Sequence, residues 1–343
     1  MRLSDRIRGW LRLPPRVQTV TAPHVRGTVD HIIILDGTMS SMEPGHETNA
    51  GLTYQLLCES VPGAPPRSIR YEQGAQWLRW RDVLNVIEGR GINRQIRRTY
   101  GFIASRYRPG DRIFFFGYSR GAYAARSLAG LIDHVGLLRA EHATVRNIRQ
   151  AYRLYELQAD PALVTAFHSQ YCHDSTAIEM IGVWDTVKSL GFRAPIVWRW
   201  AEAQFAFHNH RLGPSVKHGF HALAADETRE AFAPVLWEST PRWKGRLEQV
   251  WFRGAHGDIG AQLSRFEAAR PLANIPLVWM LEKAEECGLK LPGGWRARFP
   301  QNPEAPSVGT RRGWGKFFLF RKRRVIGADP SESFHPSTGR KLG

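Results

Sequence analysis

The sequence predicts an α/β fold in which a mostly parallel sheet is covered by helices on both faces. Four apolar runs, rich in β-branched and aromatic residues, have the character of buried strands. They are HIIIL (31–35), RIFFFG (112–117), AIEMIGVWD (177–185) and LEQVWF (247–252). Segments with helical periodicity lie between or after them, at 92–107, 120–136, 143–158 and 275–288. Strands that alternate with helices are typical of a parallel sheet.

The first strand ends in Asp36-Gly37-Thr38, a turn signal, and the helix after the second strand ends near Gly136. Residues 39–80 have no clear period, so no element is predicted there. FHALAADETREAF (220–232) is predicted to be a short strand or turn that leads into a helix.

One catalytic domain is predicted to occupy residues 28–300. A basic amphipathic tail at 1–27 precedes it, and a basic aromatic C-terminal tail at 301–343 follows it. Residues 189–215, rich in Trp, Phe and His and without a clear period, are predicted to form a lid-like insertion.

The formal charge of +17 favours anionic partners. Part of the excess lies near the ends, as in RRGWGKFFLFRKRR (311–324), where basic and aromatic residues alternate. Solvated ends and peripheral contact with a membrane both fit this pattern. No nucleic-acid-binding fold is identifiable, so we expect no nucleic-acid partner, and charge-driven nucleic-acid binding remains the lesser alternative.

No run of 18 apolar residues is present, and the basic N-terminus lacks the apolar core of an ordinary signal peptide. Cys58, Cys172 and Cys287 are odd in number and scattered, which predicts neither a disulfide framework nor a zinc motif. We therefore expect synthesis in the cytoplasm.

Ser119 is the first candidate catalytic residue. It lies in G-Y-S-R-G (117–121), a full G-x-S-x-G match placed between a predicted strand and a helix of small residues. A tight strand-turn-helix crowds the positions two before and two after the serine, which explains Gly117 and Gly121. The alternative is a structural serine in a tight turn.

Three more polar residues follow predicted strands, namely Asp36, Asp185 and His256. Ligands bind outside the carboxyl ends of parallel strands, so we expect all of these side chains at one edge of the sheet. Ser119, Asp185 and His256 also occur in the chain order of an α/β-hydrolase triad. His256 would take the serine proton, and Asp185 would orient the imidazole. Asp258 and Glu179 are weaker candidates for the acid. Alternatively, Asp185 caps a helix, and His256 is a histidine at the rim of the sheet whose hydrogen bonds are satisfied.

An oxyanion hole requires two aligned N–H donors. We expect one from the backbone of Arg120 and the other from Gly37 or Thr38, in a loop that Asp36 braces. Whether Asp36 also contacts substrate remains open.

Five blocks of this chain resemble, in order, the α/β-hydrolase domain of type VI secretion phospholipase effectors and related uncharacterised bacterial proteins. The blocks are LDGT (35–38), Y-x-P-G-D-x-IFFFGYSRGAYAARSLAGLI (107–132), IGVWDTVKSLG (181–191), FHALAADETREAFAPVLWE (220–238) and VWFRGAHGDIG (250–260). The resemblance implies Ser119, Asp185 and His256 as the triad and an acyl ester of a glycerophospholipid as substrate. It also implies delivery by a contact-dependent secretion system, with a secretion-apparatus or immunity partner that the sequence does not identify.

The resulting prediction is a serine hydrolase of the α/β-hydrolase fold that cleaves phospholipid or other lipid esters through an acyl-enzyme, without a cofactor. His208, His210, His218 and His221 lack the companions of a known metal motif, so no metal is predicted. The alternative is a catalytically silent hydrolase fold that serves as an interaction module.

Overall fold

The computed structural model of this chain describes residues 27–74, 90–187, 210–312 and 320–342. Three predicted features fall partly or wholly outside the described residues. They are the N-terminal tail (except residue 27), the lid-like insertion (except residues 210–215) and residues 313–319 of the basic aromatic cluster.

The described residues form seven strands and seven α-helices. The strands are β1 (Asp30–Leu35), β2 (Arg67–Glu72), β3 (Arg112–Tyr118), β4 (Ile178–Trp184), β5 (Val216–Ala224), β6 (Arg246–Phe252) and β7 (Glu332–Phe334). The helices are α1 (Asn49–Leu57), α2 (Arg90–Ala104), α3 (Arg120–Val135), α4 (Val145–Glu156), α5 (Pro161–Tyr171), α6 (His256–Gly260) and α7 (Arg270–Glu286).

All seven strands are parallel, in the order β2-β1-β3-β4-β5-β6-β7. The predicted α/β class with a parallel sheet is thereby confirmed. The register aligns Leu35 with Gly117 and Gly117 with Val183, so β1, β3 and β4 end together. Residues that follow these three strands therefore meet at one edge.

Alternate residues of the central strands face two separate cores, because successive side chains of a strand point to opposite faces. On one face Ile33, Phe115 and Ile181 pack against buried residues of α2 to α5. On the other, Ile32 and Phe116 pack against α1 and α7 with Trp184 and Phe220. Helices thus cover both faces, as predicted.

Local signals explain several helix boundaries. The N-cap residue Thr48 accepts a hydrogen bond from the Gly51 N–H at 3.0 Å, and Asp160 caps α5 just before Pro161. The chain leaves α3 at Gly136 with φ 100°, a conformation that favours glycine.

Three regions differ from the sequence prediction, and one of them is 161–171, which forms α5 where no element was predicted. The segment 39–80 contains α1 and the edge strand β2, neither of which was predicted. FHALAADETREAF continues β5 and then forms a loop with one 3₁₀ turn at Glu230–Phe232, rather than a helix.

The C-terminal segment also differs from the predicted tail. Its described residues 320–342 return to the domain, and β7 pairs with β6 to form the edge of the sheet. Buried Glu332 explains this docking, because its carboxylate accepts hydrogen bonds from Trp251 Nε1 at 2.7 Å and the Gly327 N–H at 2.9 Å. No helix among the described residues is long and apolar enough to cross a membrane.

Candidate active site

Ser119 lies at the turn between β3 and α3, where its backbone adopts φ 57° and ψ −118°. A residue with a Cβ rarely adopts this conformation, and such strain is common at functional sites. The Ser119 N–H donates to the Trp184 carbonyl at 3.0 Å, which fixes the turn against β4. The hydroxyl is thereby held at the carboxyl edge of the sheet.

Gly117 and Gly121 are required by close packing within this turn. A Cβ at Gly121 would lie 2.1 Å from the Leu35 carbonyl oxygen, and one at Gly117 would lie 2.6 Å from Ala122 Cα. No side chain fits at either position while Ser119 keeps its backbone conformation.

The structure brings together the three side chains that were predicted as a triad. His256 Nε2 lies 3.0 Å from Ser119 Oγ, and His256 Nδ1 lies 2.6 Å from Asp185 Oδ2. All three residues are buried, with Ser119 the most exposed at 7%. The sheet explains the arrangement, because β3 and β4 are neighbours and α6 begins just after β6.

Asp185 is held in its ionised form. Burial opposes this, but the charge and hydrogen bonds of Arg324, with the hydrogen bond from His256, outweigh burial and hold the pKa of Asp185 well below its usual range. An ionised carboxylate only accepts hydrogen bonds, so Nδ1 of a neutral His256 carries the proton. Nε2 is then free to accept the proton of Ser119.

The His256 imidazole lies between two aromatic rings. Tyr118 stacks on it at a centroid distance of 5.0 Å, and Phe232 packs on it at 4.8 Å. The backbone N–H of His256 donates to Glu227 Oε2 at 3.1 Å. These contacts restrict both the ring and its backbone.

The loop after β1 contains Gly37 and Thr38, the two residues predicted as alternative donors of an oxyanion hole. Gly37 lies against the nucleophile, since a Cβ there would approach Ser119 Cβ at 3.4 Å. Its N–H, however, donates to Asp36 Oδ1 at 2.6 Å and is already occupied. Among the described residues the N–H of Thr38 has no acceptor, and Arg120 begins α3, where a helix leaves its N–H groups free.

Asp36 braces this loop. Its carboxylate accepts hydrogen bonds from Thr48 Oγ1 at 2.5 Å and Tyr71 Oη at 2.6 Å, besides that from Gly37. Burial raises the pKa of Asp36 to about 6, although these hydrogen bonds oppose the rise.

The Arg120 side chain follows the nucleophile directly. Burial lowers the pKa of its guanidinium to about 10. Within the described parts of the chain, no hydrogen bond or ion pair engages this group.

The weaker acid candidates have other partners. Asp258 accepts from the Ala255 N–H at 2.8 Å and the Val308 N–H at 2.7 Å, so it fixes its own loop. Glu179 pairs with Lys217 at 2.7 Å. His208 lies outside the described residues, and no group of three or more His, Cys, Asp or Glu among the described residues is arranged to hold a metal ion.

Sequence reasoning missed four residues that contact this site, namely Tyr118, Glu227, Phe232 and Arg324. Tyr118, Glu227 and Phe232 lie within the motif blocks named above, but nothing in the sequence marked their contacts with His256. Arg324 was noted only as part of a basic cluster.

Comparisons with known proteins identify the family. The family model described as "T6SS, Phospholipase effector Tle1-like, catalytic domain" matches residues 30–283. The chain belongs to this family. The matched model describes the catalytic domain of phospholipase effectors.

An uncharacterized protein of Saccharomyces cerevisiae is 27% identical over 236 residues, which cover 61% of this chain and 33% of the yeast protein. The chain thus spans about a third of the length of this curated relative.

Two solved structures share a looser similarity. An uncharacterized protein from Pseudomonas aeruginosa has a TM-score of 0.43 and 15% identity, covering 85% of this chain and 50% of that one. A Tle1 effector bound to the VgrG spike of a type VI secretion system has a TM-score of 0.32 and 18% identity, covering 68% and 51%. The chain spans about half of each.

Proposed function

We propose that this domain is a serine hydrolase that cleaves acyl esters of phospholipids through Ser119, His256 and Asp185. The observation that carries the proposal is the hydrogen-bonded series from Ser119 Oγ to His256 Nε2 and from His256 Nδ1 to Asp185. It supplies a nucleophile, a general base and an orienting carboxylate within hydrogen-bonding distance of one another.

In the first half-reaction His256 Nε2 takes the Ser119 proton while Oγ bonds to the acyl carbon. The N–H groups of Arg120 and Thr38 donate to the oxyanion of the tetrahedral intermediate. His256 then returns the proton to the leaving alcohol oxygen as the ester bond breaks, which leaves an acyl-enzyme. In the second half-reaction a water molecule gives its proton to Nε2 and attacks the acyl carbon. The fatty acid leaves as the proton returns to Oγ.

Three features support a phospholipid substrate. The family is one of phospholipase effectors. Arg120, the residue after the nucleophile, carries a guanidinium, a group that pairs well with a headgroup phosphate. The net charge of +17 suits an anionic membrane surface.

Delivery by type VI secretion, with a secretion-apparatus partner, is proposed on family membership. A tagged chain should reach the medium from a strain with a working apparatus. Its equal release from an apparatus-deficient strain would contradict this proposal.

The test of the chemistry compares wild type with Ser119→Ala on short- and long-chain esters and on phospholipid vesicles, with fluorophosphonate labelling of both. Ser127→Ala is the matched control, because Ser127 is a buried serine of the same helix α3. We expect Ser119→Ala to lose labelling and at least about 1,000-fold of kcat, while Ser127→Ala keeps both.

Folded wild type that neither hydrolyses esters nor accepts the label would contradict the proposal. The silent interaction module would then become the better interpretation. Preference for long acyl chains would separate a lipase from a small-ester hydrolase.

A further inference from the structure

Arg324 lies outside the family match, which ends at residue 283. Its side chain contacts Asp185, the candidate acid of the triad. Its Nη1 lies 2.5 Å from Asp185 Oδ1, and its Nη2 lies 2.8 Å from Oδ2. Both side chains are nearly inaccessible, with 3% of Arg324 and 0% of Asp185 exposed. Arg324 and Asp185 thus form a buried, bidentate ion pair. The same carboxylate accepts the hydrogen bond from His256 Nδ1.

We propose that Arg324 is a positioning residue, which keeps Asp185 ionised and fixes the plane of its carboxylate toward His256. The inference rests on the function proposed above for Ser119, His256 and Asp185. Arg324 acts through Asp185 and does not touch substrate.

The electrostatics of the site require such a partner. Among the described residues, the other donors to the Asp185 carboxylate are the Ala224 N–H at 3.0 Å and His256 Nδ1 at 2.6 Å. A charge without a charged partner is costly in a buried site, and a carboxyl there would take up a proton instead. A protonated Asp185 would no longer stabilise the imidazolium that forms during the reaction.

Several other titratable groups surround the pair. Three of them, on neighbouring elements, interact electrostatically with Asp185. They are His256 of α6, His221 of β5 and Tyr118 of β3. Glu227 and Arg229, in the loop after β5, interact electrostatically with Tyr118. Arg324 is the cation in direct contact with Asp185, and its charge has the largest effect of those that favour ionisation.

The backbone on both sides of Arg324 is anchored. Before it, the Lys322 N–H donates to the Thr228 carbonyl at 2.7 Å, and the Glu230 N–H donates to the Phe320 carbonyl at 3.1 Å. After it, β7 pairs with β6. The guanidinium therefore reaches Asp185 from a segment that is itself held in place.

Arg324 also connects the acid to the base. Its Nη2 donates to the Phe232 carbonyl at 2.6 Å, and the Phe232 ring packs on the His256 imidazole. Its Nη1 donates to the Ala224 carbonyl at 2.9 Å. One side chain thus joins Asp185, the end of β5 and the loop that covers His256.

The test uses Arg324→Gln, which removes the charge, and Arg324→Lys, which keeps the charge but not the planar fork. Arg340→Gln is the matched control, because Arg340 pairs with Asp226 at 3.0 Å from the same C-terminal segment but is 50% exposed. The full chain is assayed on a soluble short-chain ester from pH 4 to 9. Thermal unfolding and the low-field NMR signal of the Nδ1 proton are recorded for each variant.

We expect Arg324→Gln to lose at least about 10-fold in kcat, up to the roughly 10⁴-fold that loss of the triad carboxylate costs. On the acid side of the profile its activity should also fall at a higher pH than that of wild type, because Asp185 then takes up a proton. Arg324→Lys should lie between wild type and Arg324→Gln, and Arg340→Gln should match wild type.

A folded Arg324→Gln with the wild-type kcat, pH profile and Nδ1 signal would overturn the inference. A rise in kcat would overturn it too, since the arginine would then restrain the site. If Arg324→Gln does not fold, Arg324→Lys decides, and a wild-type kcat and profile for that variant overturns the positioning role. An inactive, unlabelled wild type would instead refute the proposed function.

Discussion

At the scale of single residues, Ser119 keeps a strained backbone because its surroundings leave no alternative. Its N–H donates to Trp184, and its carbonyl accepts from the Tyr123 N–H at 3.3 Å, so the turn is bonded on both sides. Gly117 and Gly121 remove the side chains that would force the turn open. The cost of the strained conformation, of order 1–3 kcal/mol, is thus offset by contacts that the turn makes with β1 and β4.

A methyl group at Gly121 tests this packing. In Gly121→Ala the new Cβ would lie 2.1 Å from the Leu35 carbonyl oxygen, so the backbone must shift and carry Ser119 with it. We expect a loss of about 1–3 kcal/mol in the free energy of unfolding and a loss of fluorophosphonate labelling. Gly91→Ala in α2 is the control, because a Cβ there meets nothing within 4 Å. Equal stability and labelling of the two variants would refute the packing argument.

Site residues that directly follow a strand were predicted from the sequence. Site residues brought in by contacts between distant parts of the chain were missed. Ser119, Asp185 and His256 follow strands, and parallel strands end at one edge, so their meeting could be inferred from order alone. Arg324 lies 139 residues from Asp185 in the chain, and no spacing rule connects them. The bond from Gly37 to Asp36 depends on loop geometry, which composition does not specify.

At the scale of elements, the loop after β1 is joined to two neighbours through Asp36. Thr48 is the N-cap of α1, and Tyr71 lies near the end of β2, and both hydroxyls donate to the same carboxylate. A single buried carboxyl therefore holds β1, β2 and α1 together beside Ser119.

This arrangement predicts a pH-dependent stability. Burial raises the pKa of Asp36 from 3.8 to about 6, so the folded state binds the proton more tightly than the unfolded state. The contribution of Asp36 to the free energy of unfolding is therefore fully present below about pH 4, and it is lost as the pH rises through about 6. In Asp36→Asn this dependence should disappear. The difference in unfolding free energy between wild type and variant should fall by up to about 3 kcal/mol from pH 4 to 7.

Denaturant unfolding at several pH values measures this difference. Other groups, such as the buried His221, whose pKa is lowered to about 3, change stability equally in both proteins and cancel. If the unfolding free energy of Asp36→Asn changes with pH in the same way as that of wild type, the role assigned to Asp36 is contradicted.

The elements that sequence reasoning missed have weak patterns for physical reasons. β2 (RSIRYE) is an edge strand whose residues are all half-buried, so it has no apolar run. α5 buries only Val164 and Phe167, and β7 is three residues long. The strong predictions came from β1, β3 and β4, which are buried almost throughout.

At the scale of the whole molecule, the domain extends beyond its family match. The match covers residues 30–283, whereas the last strand and the arginine on Asp185 come from residues 320–342. The predicted boundary at residue 300 therefore separates parts that the structure joins. A shortened chain that ends at the family boundary would lack Arg324 and the pairing of β7.

The net charge of +17 also concerns the whole molecule, and the structure shows where part of it lies. Arg321, Lys322 and Arg323 are exposed beside Phe320 and Val325, whose side chains are 72% and 69% exposed. This basic and apolar surface lies on the segment that also carries Arg324. We expect it to contact an anionic bilayer, because lipid headgroups pair with the cations while the exposed apolar side chains enter the interface.

Vesicle sedimentation tests this contact. Vesicles of phosphatidylcholine and phosphatidylglycerol at 4:1 should bind wild type more tightly than pure phosphatidylcholine, and added salt should weaken the binding. Each cation near an anionic surface contributes about 1 kcal/mol, so joint Arg321→Gln, Lys322→Gln and Arg323→Gln should weaken binding by about 100-fold. Joint replacement of Arg146, Arg149 and Arg153 by Gln on the exposed side of α4 removes the same charge elsewhere. An equal loss in both variants would show that charge alone, and not this surface, attracts the bilayer.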